Sequence, residues 1–125
     1  MMEGVSTDSA PAAVGPYSQA VVHGDLVFVS GQIPVDPSDG SVPEDIADQT
    51  AQTLRNLRSV LEAAGSGMDR ILRVTVFVRD ISRFPDVNAV YAGFFTEPYP
   101  SRSCVEVSGL PKGVSVEIDA IAFRG

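Results

Sequence analysis

Two stretches near the end of the chain alternate in the manner of β-strands, and they constrain the fold more than any other feature. Residues 101–107 and 115–123 each alternate with a period of two, and the G-L-P-K-G cluster at 109–113 interrupts the pattern. A period of two is typical of a strand, while glycine and proline mark a turn. The pattern therefore predicts two strands joined by a short turn.

Charged side chains on these two strands indicate a chemical role. Arg102 shares a face of the first strand with Cys104 and Glu106. The opposite face is predicted to be buried and carries Ser103, Val105 and Val107. The second strand carries Glu117 within an apolar run. An arginine and a carboxylate on strands joined by a turn could hold a small carboxylic acid and a water molecule, which indicates a hydrolytic site.

Four segments of the sequence resemble one known family. They are P-S-R-S-C-V-E-V from residue 100 with L-P and V-E after it, A-P-A-A-V-G-P-Y-S-Q at 10–19, V-S-G-Q-I-P-V at 29–35, and V-N-A-V-Y-A-G-F-F at 87–95. Together they resemble the Rid/YjgF family of reactive intermediate deaminases over nearly the whole chain. The resemblance implies a chorismate-mutase-like fold, a homotrimer around a sheet-lined barrel, and active sites between subunits. It also implies hydrolysis of 2-imino acids and enamines, such as 2-aminoacrylate and 2-iminobutyrate, to 2-keto acids and ammonia.

Length and composition bound the class of protein. A chain of 125 residues is expected to form one domain over residues 1–125. No apolar run approaches the roughly 18 residues that span a bilayer, and the N-terminus shows no secretory or mitochondrial targeting pattern. A lone cysteine fits a reducing compartment, so the expected location is cytoplasmic. A single cysteine and a single histidine also speak against a conventional zinc site.

The net charge of −7 disfavours nucleic acid as a partner. Nucleic-acid binding relies on clustered lysine and arginine side chains that neutralise phosphates. Here the basic residues are scattered, and Lys112 is the only lysine. The nuclease activity described for some members of the family is therefore a disfavoured alternative.

The first half of the chain predicts a hairpin followed by a helix. Residues 17–22 and 26–30 are rich in β-forming side chains and flank a His-Gly-Asp turn signal at 23–25. Apolar side chains then step by three and four over residues 47–64, which indicates an amphipathic helix capped by Gly65.

The second half adds a strand and a second helix. Residues 71–78 form an apolar strand, and residues 84–95 carry apolar side chains at helical spacing before Pro98. The expected class is α+β, with a single mixed β-sheet and two helices on one face. The strand at 71–78 is apolar on both sides, with Phe77 opposite a buried row of Leu72, Val74, Val76 and Val78. Two helices hardly cover both faces of one sheet, so identical copies are expected to bury the other.

Arg102 and Glu117 each have a structural alternative. Arg102 could form a surface ion pair, which contributes little, or bind a substrate carboxylate through paired donors. Glu117 could pair with Arg102 or Arg73, or have a raised pKa and act on a water molecule. Asp119 shares the face of Glu117, and alternation cannot choose between them. The match to the family motif selects Glu117.

Four further residues join the expected site. The resemblance implies that the Tyr17 hydroxyl contacts substrate or water, so Arg102, Glu117 and Tyr17 are the expected catalytic residues. It also implies that Cys104 and Asn88 line the substrate pocket, although Asn88 could be an ordinary polar helix residue. Gly31 ends a strand where its bare backbone could approach the substrate closely, and a β-bulge would explain it as well. Cys104 is not expected to be a nucleophile, because no histidine is arranged to activate it.

The chemistry that fits these residues is imine hydrolysis without a metal or organic cofactor. A protonated imine is already electrophilic, so positioning and modest acid–base assistance suffice. Two alternatives from other classes remain besides the nuclease. A ligand-binding trimer of the same fold would not need both Arg102 and Glu117. A chorismate-mutase-type isomerase would need more cations around its substrate than the chain contains.

Overall fold

The computed structural model describes residues 1–125 and contains one six-stranded sheet and two α-helices. The strands are β1 (Glu3–Val5), β2 (Ala20–His23), β3 (Leu26–Gln32), β4 (Ile71–Val78), β5 (Ser101–Glu106) and β6 (Val116–Phe123). The helices are α1 (Ile46–Ala63) and α2 (Phe84–Tyr91). The strand order is β1-β2-β3-β6-β4-β5, and only β4 and β5 are parallel. The predicted α+β class with one mixed sheet is confirmed.

The predicted hairpin is present, but its first strand starts later than expected. β2 and β3 pair around a tight turn in which Gly24 has a φ of +60°. β2 begins at Ala20 because Tyr17 lies in a turn instead, where its N–H donates to the Gly15 carbonyl at 2.9 Å. Strand β1, only three residues long, pairs with β2 and was not predicted.

Helix α1 begins and ends at the residues that its capping signals indicate. The Asp45 carboxylate accepts from the N–H groups of Ala47 and Asp48 at 3.2 and 3.3 Å. Gly65 has a φ of +82°, and the N–H of Ser66 donates to the Leu61 carbonyl at 2.8 Å. This closure is a Schellman motif, so the predicted glycine cap is confirmed.

Both helices pack on one face of the sheet and bury the core there. The fully buried side chains of α1 and β4 meet in one cluster, which includes Leu54, Leu57, Leu61, Val74, Val76 and Val78.

Helix α2 is shorter than predicted, because the chain tightens into a 3₁₀ turn over Ala92–Phe94. Gly93, a weak helix former, lies in that turn. Neither helix could span a membrane.

One residue predicted for the buried row of β4 lies outside it. Leu72 is 46% exposed, whereas Ile71 is buried. The pairing of β4 with β6 shifts register between Ile71 and Arg73, which turns Leu72 outward. Phe77 lies on the other face, as predicted, because Val76 and Val78 on either side of it are fully buried.

Both strands predicted over 101–107 and 115–123 are present, as β5 and β6, but they are not neighbours in the sheet, so the prediction that a short turn joins them was wrong. β4 lies between β5 and β6. The connecting residues cross the end of β4, where the N–H of Val107 donates to the Val78 carbonyl and the N–H of Arg79 donates to the Ser115 carbonyl. Alternation identifies a strand but not its neighbour, so the sequence pattern could not reveal the intervening strand.

The sheet face away from the helices, here called the open face, is uncovered in the single chain. Its side chains include Leu26, Phe28, Val105 and Phe123, each about 40% exposed. The prediction that Val105 and its neighbours on β5 are buried is therefore wrong for the isolated chain. An apolar sheet face of this kind calls for a covering surface.

Candidate active site

The sheet places Arg102 and Glu117 on opposite faces. Arg102 pairs with Val74 of β4, and Glu117 pairs with Phe77. Positions three apart in a strand point to opposite sides. Arg102 therefore lies on the helix face and Glu117 on the open face, so one chain does not bring the predicted cation and carboxylate together.

Helix α2 supplies the surroundings of Arg102. Phe84, Asn88 and Tyr91 are spaced by four and three residues, which places them along one side of the helix. Nη1 of Arg102 donates to Oδ1 of Asn88 at 2.8 Å. The guanidinium carbon lies 4.9 Å from the ring centre of Phe84 and 4.7 Å from that of Tyr91.

Arg102 has no carboxylate partner. The one ion pair of the chain joins Arg83 to Asp86. The alternative role of Arg102, a surface ion pair, is therefore not what the structure shows. An exposed arginine that is held by an amide and two rings keeps most of its donors free for an anion.

A cleft of about 440 Å³ opens beside this arginine. It is lined by Asn88, Tyr91, Ala92, Tyr99, Pro100 and Arg102. The Tyr91 hydroxyl is buried without a hydrogen-bond partner, and burial raises its pKa. Sequence reasoning missed Phe84 and Tyr91 as site residues. Their spacing around Asn88 was a signal, but only the fold shows that Arg102 lies against that side of the helix.

Cys104 follows Arg102 on the same face of β5. Burial raises the pKa of the thiol, and the positive charge of Arg102 offsets only part of that effect. The thiol is therefore protonated near neutral pH. The only histidine, His23, lies at the exposed end of β2. These features agree with the expectation that Cys104 is not a nucleophile.

Glu117 lies against Gly31 of β3. The pairing of β3 with β6 shifts register between Val29 and Gln32, so Gly31 lies at a β-bulge. A Cβ atom at Gly31 would collide with the Glu117 carboxylate. Gly31 therefore lies at a β-bulge, and a second group also approaches its bare backbone closely. That group is the Glu117 carboxylate.

Burial raises the pKa of Glu117, and the negative charge of Asp119 raises it further. No cation pairs with Glu117, so the structural ion pair with Arg102 or Arg73 is not present. Asp119 points to the same face and pairs across strands with Thr75. Burial raises the pKa of Asp119 as well, but Thr75 and the charge of Arg73 oppose that effect. Of the two acids, Glu117 is the one without a compensating partner.

Tyr17 lies in a second cleft, of about 540 Å³, that it shares with Gly31, Gln32 and Lys112. Its side chain is 51% exposed, and its hydroxyl accepts from the N–H of Val14 at 3.4 Å. Tyr17 thus shares a cleft with Gly31, the residue that Glu117 lies against. Nowhere do three or more His, Cys, Asp or Glu side chains converge in a way that could hold a metal ion.

The predicted site residues fall into two groups. The arginine half-site comprises Arg102, Asn88, Cys104, Phe84 and Tyr91. The carboxylate half-site comprises Glu117 and Gly31, which are in contact, together with Tyr17, which lines a cleft with Gly31. The sheet separates Arg102 from Glu117.

Comparisons with known proteins identify the family. The family model described as endoribonuclease L-PSP matches residues 7–124. The chain belongs to this family. It is the Rid/YjgF family that the four sequence segments resemble, so that prediction is confirmed.

Relatives match the chain along its whole length. A Salmonella typhimurium protein named 2-iminobutanoate/2-iminopropanoate deaminase is 51% identical over 127 residues, which cover 99% of each chain. The crystal structure of the YjgF gene product from E. coli matches with a TM-score of 0.94 and 49% identity, over 98% of this chain and 99% of that chain. The structure of E. coli TdcF with bound serine matches with a TM-score of 0.94 and 46% identity, over the same shares of the two chains.

Proposed function

We propose that this Rid/YjgF protein hydrolyses small 2-imino acids and their enamine forms to 2-keto acids and ammonia. The observation that carries the proposal is 51% identity, over 99% of each chain, to a protein named 2-iminobutanoate/2-iminopropanoate deaminase. The arginine half-site supports it, since Arg102 offers unpaired donors that suit a planar carboxylate. The relative crystallised with bound serine carries a ligand with the same carboxylate and adjacent nitrogen-bearing carbon.

In the proposed reaction Arg102 binds the substrate carboxylate and fixes the imine carbon. Glu117 orients a water molecule, with the Tyr17 hydroxyl beside it, and accepts a proton as the water oxygen bonds to the carbon of the protonated imine. The carbinolamine nitrogen then takes up the proton that Glu117 accepted and leaves as ammonia, while the hydroxyl group loses its proton to the Glu117 carboxylate and becomes the carbonyl of the 2-keto acid. Asn88 holds Arg102, and Cys104 lines the pocket. Water is the only co-reactant, so the reaction balances without a metal or organic cofactor.

We further propose that the complete site forms between copies of the chain, in a homotrimer with a chorismate-mutase-like fold. Two observations support a site between copies, while the trimer and its fold are what the family resemblance implies. The sheet separates Arg102 from Glu117 within one chain, and the open face exposes Leu26, Phe28 and Phe123. A second copy that covers the open face would bring its arginine half-site toward the carboxylate half-site of the first. The protein should then scatter light as a species near three times its 13.2 kDa chain mass.

Subunit complementation tests the shared site. Arg102→Ala and Glu117→Gln should each be inactive, but co-refolding them should create some sites with an intact arginine from one copy and an intact glutamate from another. Random mixing gives about a quarter of the sites both groups. If the mixture stays inactive although mixed trimers form, the shared site is refuted.

The activity itself is tested with imines generated in situ by a pyridoxal-phosphate dehydratase acting on threonine or serine. Faster release of 2-keto acid in the presence of the protein is expected. No acceleration, with keto acid still bound through Arg102, would favour the ligand-binding alternative.

A ribonuclease activity is named in the family description, but the charge of −7 opposes phosphate binding, so no RNA cleavage is expected in the same preparation. The cytoplasmic location expected from the sequence stays a prediction.

A further inference from the structure

Two aromatic rings contact the Arg102 guanidinium, and neither ring belongs to the predicted site. Phe84 and Tyr91 lie seven residues apart on α2, a rise of about 10.5 Å along the helix. The guanidinium carbon is within 5 Å of both ring centres, at 4.9 and 4.7 Å. It therefore lies over the faces of both rings, and its Nη1 donates to Oδ1 of Asn88, which lies on the same side of the helix.

This arrangement restrains the arginine without using up its charge. A carboxylate at this position would neutralise the guanidinium and occupy its donors, whereas an aromatic face attracts the cation and accepts no strong hydrogen bond. Asn88 takes one N–H of the five that arginine carries. The remaining donors stay available to an incoming anion.

The rings are themselves held in place. Tyr91 is 6% exposed and stacks on Phe95, with ring centres 4.4 Å apart. Its hydroxyl is buried without a hydrogen-bond partner, and the positive charge of Arg102 offsets part of the rise in its pKa that burial causes. Phe84 is partly buried and packs against the core cluster.

We propose that Phe84 and Tyr91 are positioning residues for carboxylate binding: the faces of their rings hold the Arg102 guanidinium so that its free donors bind the substrate carboxylate as a pair. This inference rests on the proposed function for the identity of the substrate but concerns the binding step alone. A long, flexible arginine side chain on an edge strand otherwise loses conformational entropy when a ligand orders it. The two rings remove that cost before the ligand arrives.

The test compares Phe84→Leu, which removes the ring face, with Phe84→Tyr, which keeps it. Binding of 2-oxobutyrate is measured by calorimetry, and kcat and KM are measured in the imine assay. Phe84→Leu should weaken 2-oxobutyrate binding about tenfold and raise KM more than it lowers kcat. Phe84→Tyr should restore the affinity to within about twofold. Phe94→Leu is the control, because it removes a ring from a different arginine, Arg58, at 5.8 Å.

A series of keto acids separates positioning from direct contact with the ligand. If Phe84 acts through Arg102, Phe84→Leu should weaken pyruvate, 2-oxobutyrate and 2-oxohexanoate by the same factor. A loss that grows with the length of the ligand's side chain would show that the ring contacts the ligand, and would overturn the proposal. Unchanged affinity in a folded Phe84→Leu variant, or an equal loss in Phe84→Tyr, would overturn it too. If Phe84→Leu fails to fold, Tyr91→Leu against Tyr91→Phe provides the same comparison.

Because keto-acid binding is measured apart from turnover, this proposal and the proposed function fail separately. Absence of deaminase activity with intact, ring-dependent carboxylate binding would count against the function alone. Deaminase activity that needs Arg102 but is indifferent to Phe84 would count against the ring proposal alone.

Discussion

The two half-sites differ in how their charged side chains are held in place. In the arginine half-site, contacts restrain the side chain: Asn88 and two aromatic rings contact a cation that could otherwise move freely. In the carboxylate half-site the missing side chain of Gly31 makes room for Glu117, because a Cβ atom at position 31 would occupy the space of the carboxylate. Contacts therefore position Arg102, whereas space beside a glycine accommodates Glu117.

Their electrostatics differ in the same way. Asn88 and the rings leave the charge of Arg102 unneutralised, so it can attract an anion. Glu117 has a raised pKa because of burial and the nearby charge of Asp119, so it is a stronger base than an ordinary glutamate. The proposed reaction needs both properties, one to bind a carboxylate and the other to accept a proton from water. Substitutions should therefore affect binding on one side and turnover on the other.

The largest effect is expected at Arg102. Arg102→Ala removes two charge-assisted hydrogen bonds, each worth about 1.5–3 kcal/mol, so kcat/KM should fall by at least about a hundredfold. Arg102→Lys should lose most of the activity as well, because lysine keeps the charge without the paired donors. The fold and assembly should remain intact, as circular dichroism and light scattering would show. Wild-type rates in Arg102→Ala would refute the carboxylate-binding role.

A smaller loss, confined to turnover, is expected at Glu117. Glu117→Gln keeps the shape of the side chain but cannot accept the proton, so kcat should fall about a hundredfold while 2-keto acid still binds to Arg102. Single-turnover kinetics with a separate binding measurement separate the two effects. If keto-acid affinity fell together with kcat, the division of labour between the half-sites would be wrong.

Gly31→Ala tests whether the carboxylate half-site needs the space that Gly31 leaves for Glu117. The new methyl group would displace the end of the Glu117 side chain, which is flexible, so kcat should fall about tenfold with little change in melting temperature. The backbone at Gly31 is outside the left-handed region, so alanine introduces no strain there. Gly109→Ala is a matched control, because no atom lies within 4 Å of its added Cβ and its φ is also unremarkable. A wild-type kcat in Gly31→Ala would show that the position of Glu117 does not matter.

The sequence predicted those parts of the fold that depend on local pattern. The bounds of α1 and β4 followed from helical spacing with the Gly65 cap and from a continuous apolar strand, because both signals lie within the element itself. Strand neighbours carry no such signal. Nothing in the alternation of residues 101–107 shows that β4 separates them from β6.

The same limit explains what could be predicted of the site. Sequence motifs proposed six candidate residues one at a time, namely Arg102, Glu117, Tyr17, Cys104, Gly31 and Asn88. Of the contacts among them, the structure shows that Asn88 accepts from Arg102. Whether Arg102 faces Glu117 depends on the register of both strands against β4, which is a property of the sheet. The rings around Arg102 were missed for the same reason, since Phe84 and Arg102 meet only after α2 packs against the edge strand.

The smallest effect is expected at Asp119, the acid beside Glu117 on the same face. Its negative charge contributes to the raised pKa of Glu117, so Asp119→Asn should lower that pKa and leave the carboxylate intact. If Glu117 must be deprotonated to act on water, activity falls as the pH drops through its pKa, and this acid limb should move to lower pH in Asp119→Asn. At pH values well above the limb, the rate should be within about twofold of wild type.

The measurement is kcat/KM against pH for both proteins, with Glu117→Gln as the reference that lacks the titrating group. An inactive Asp119→Asn beside an active Glu117→Gln would mean that Asp119, and not Glu117, is the carboxylate that acts on water. Equal losses in both would indicate that the two carboxylates maintain the structure of the sheet, and the turnover role of the carboxylate half-site would have to be abandoned.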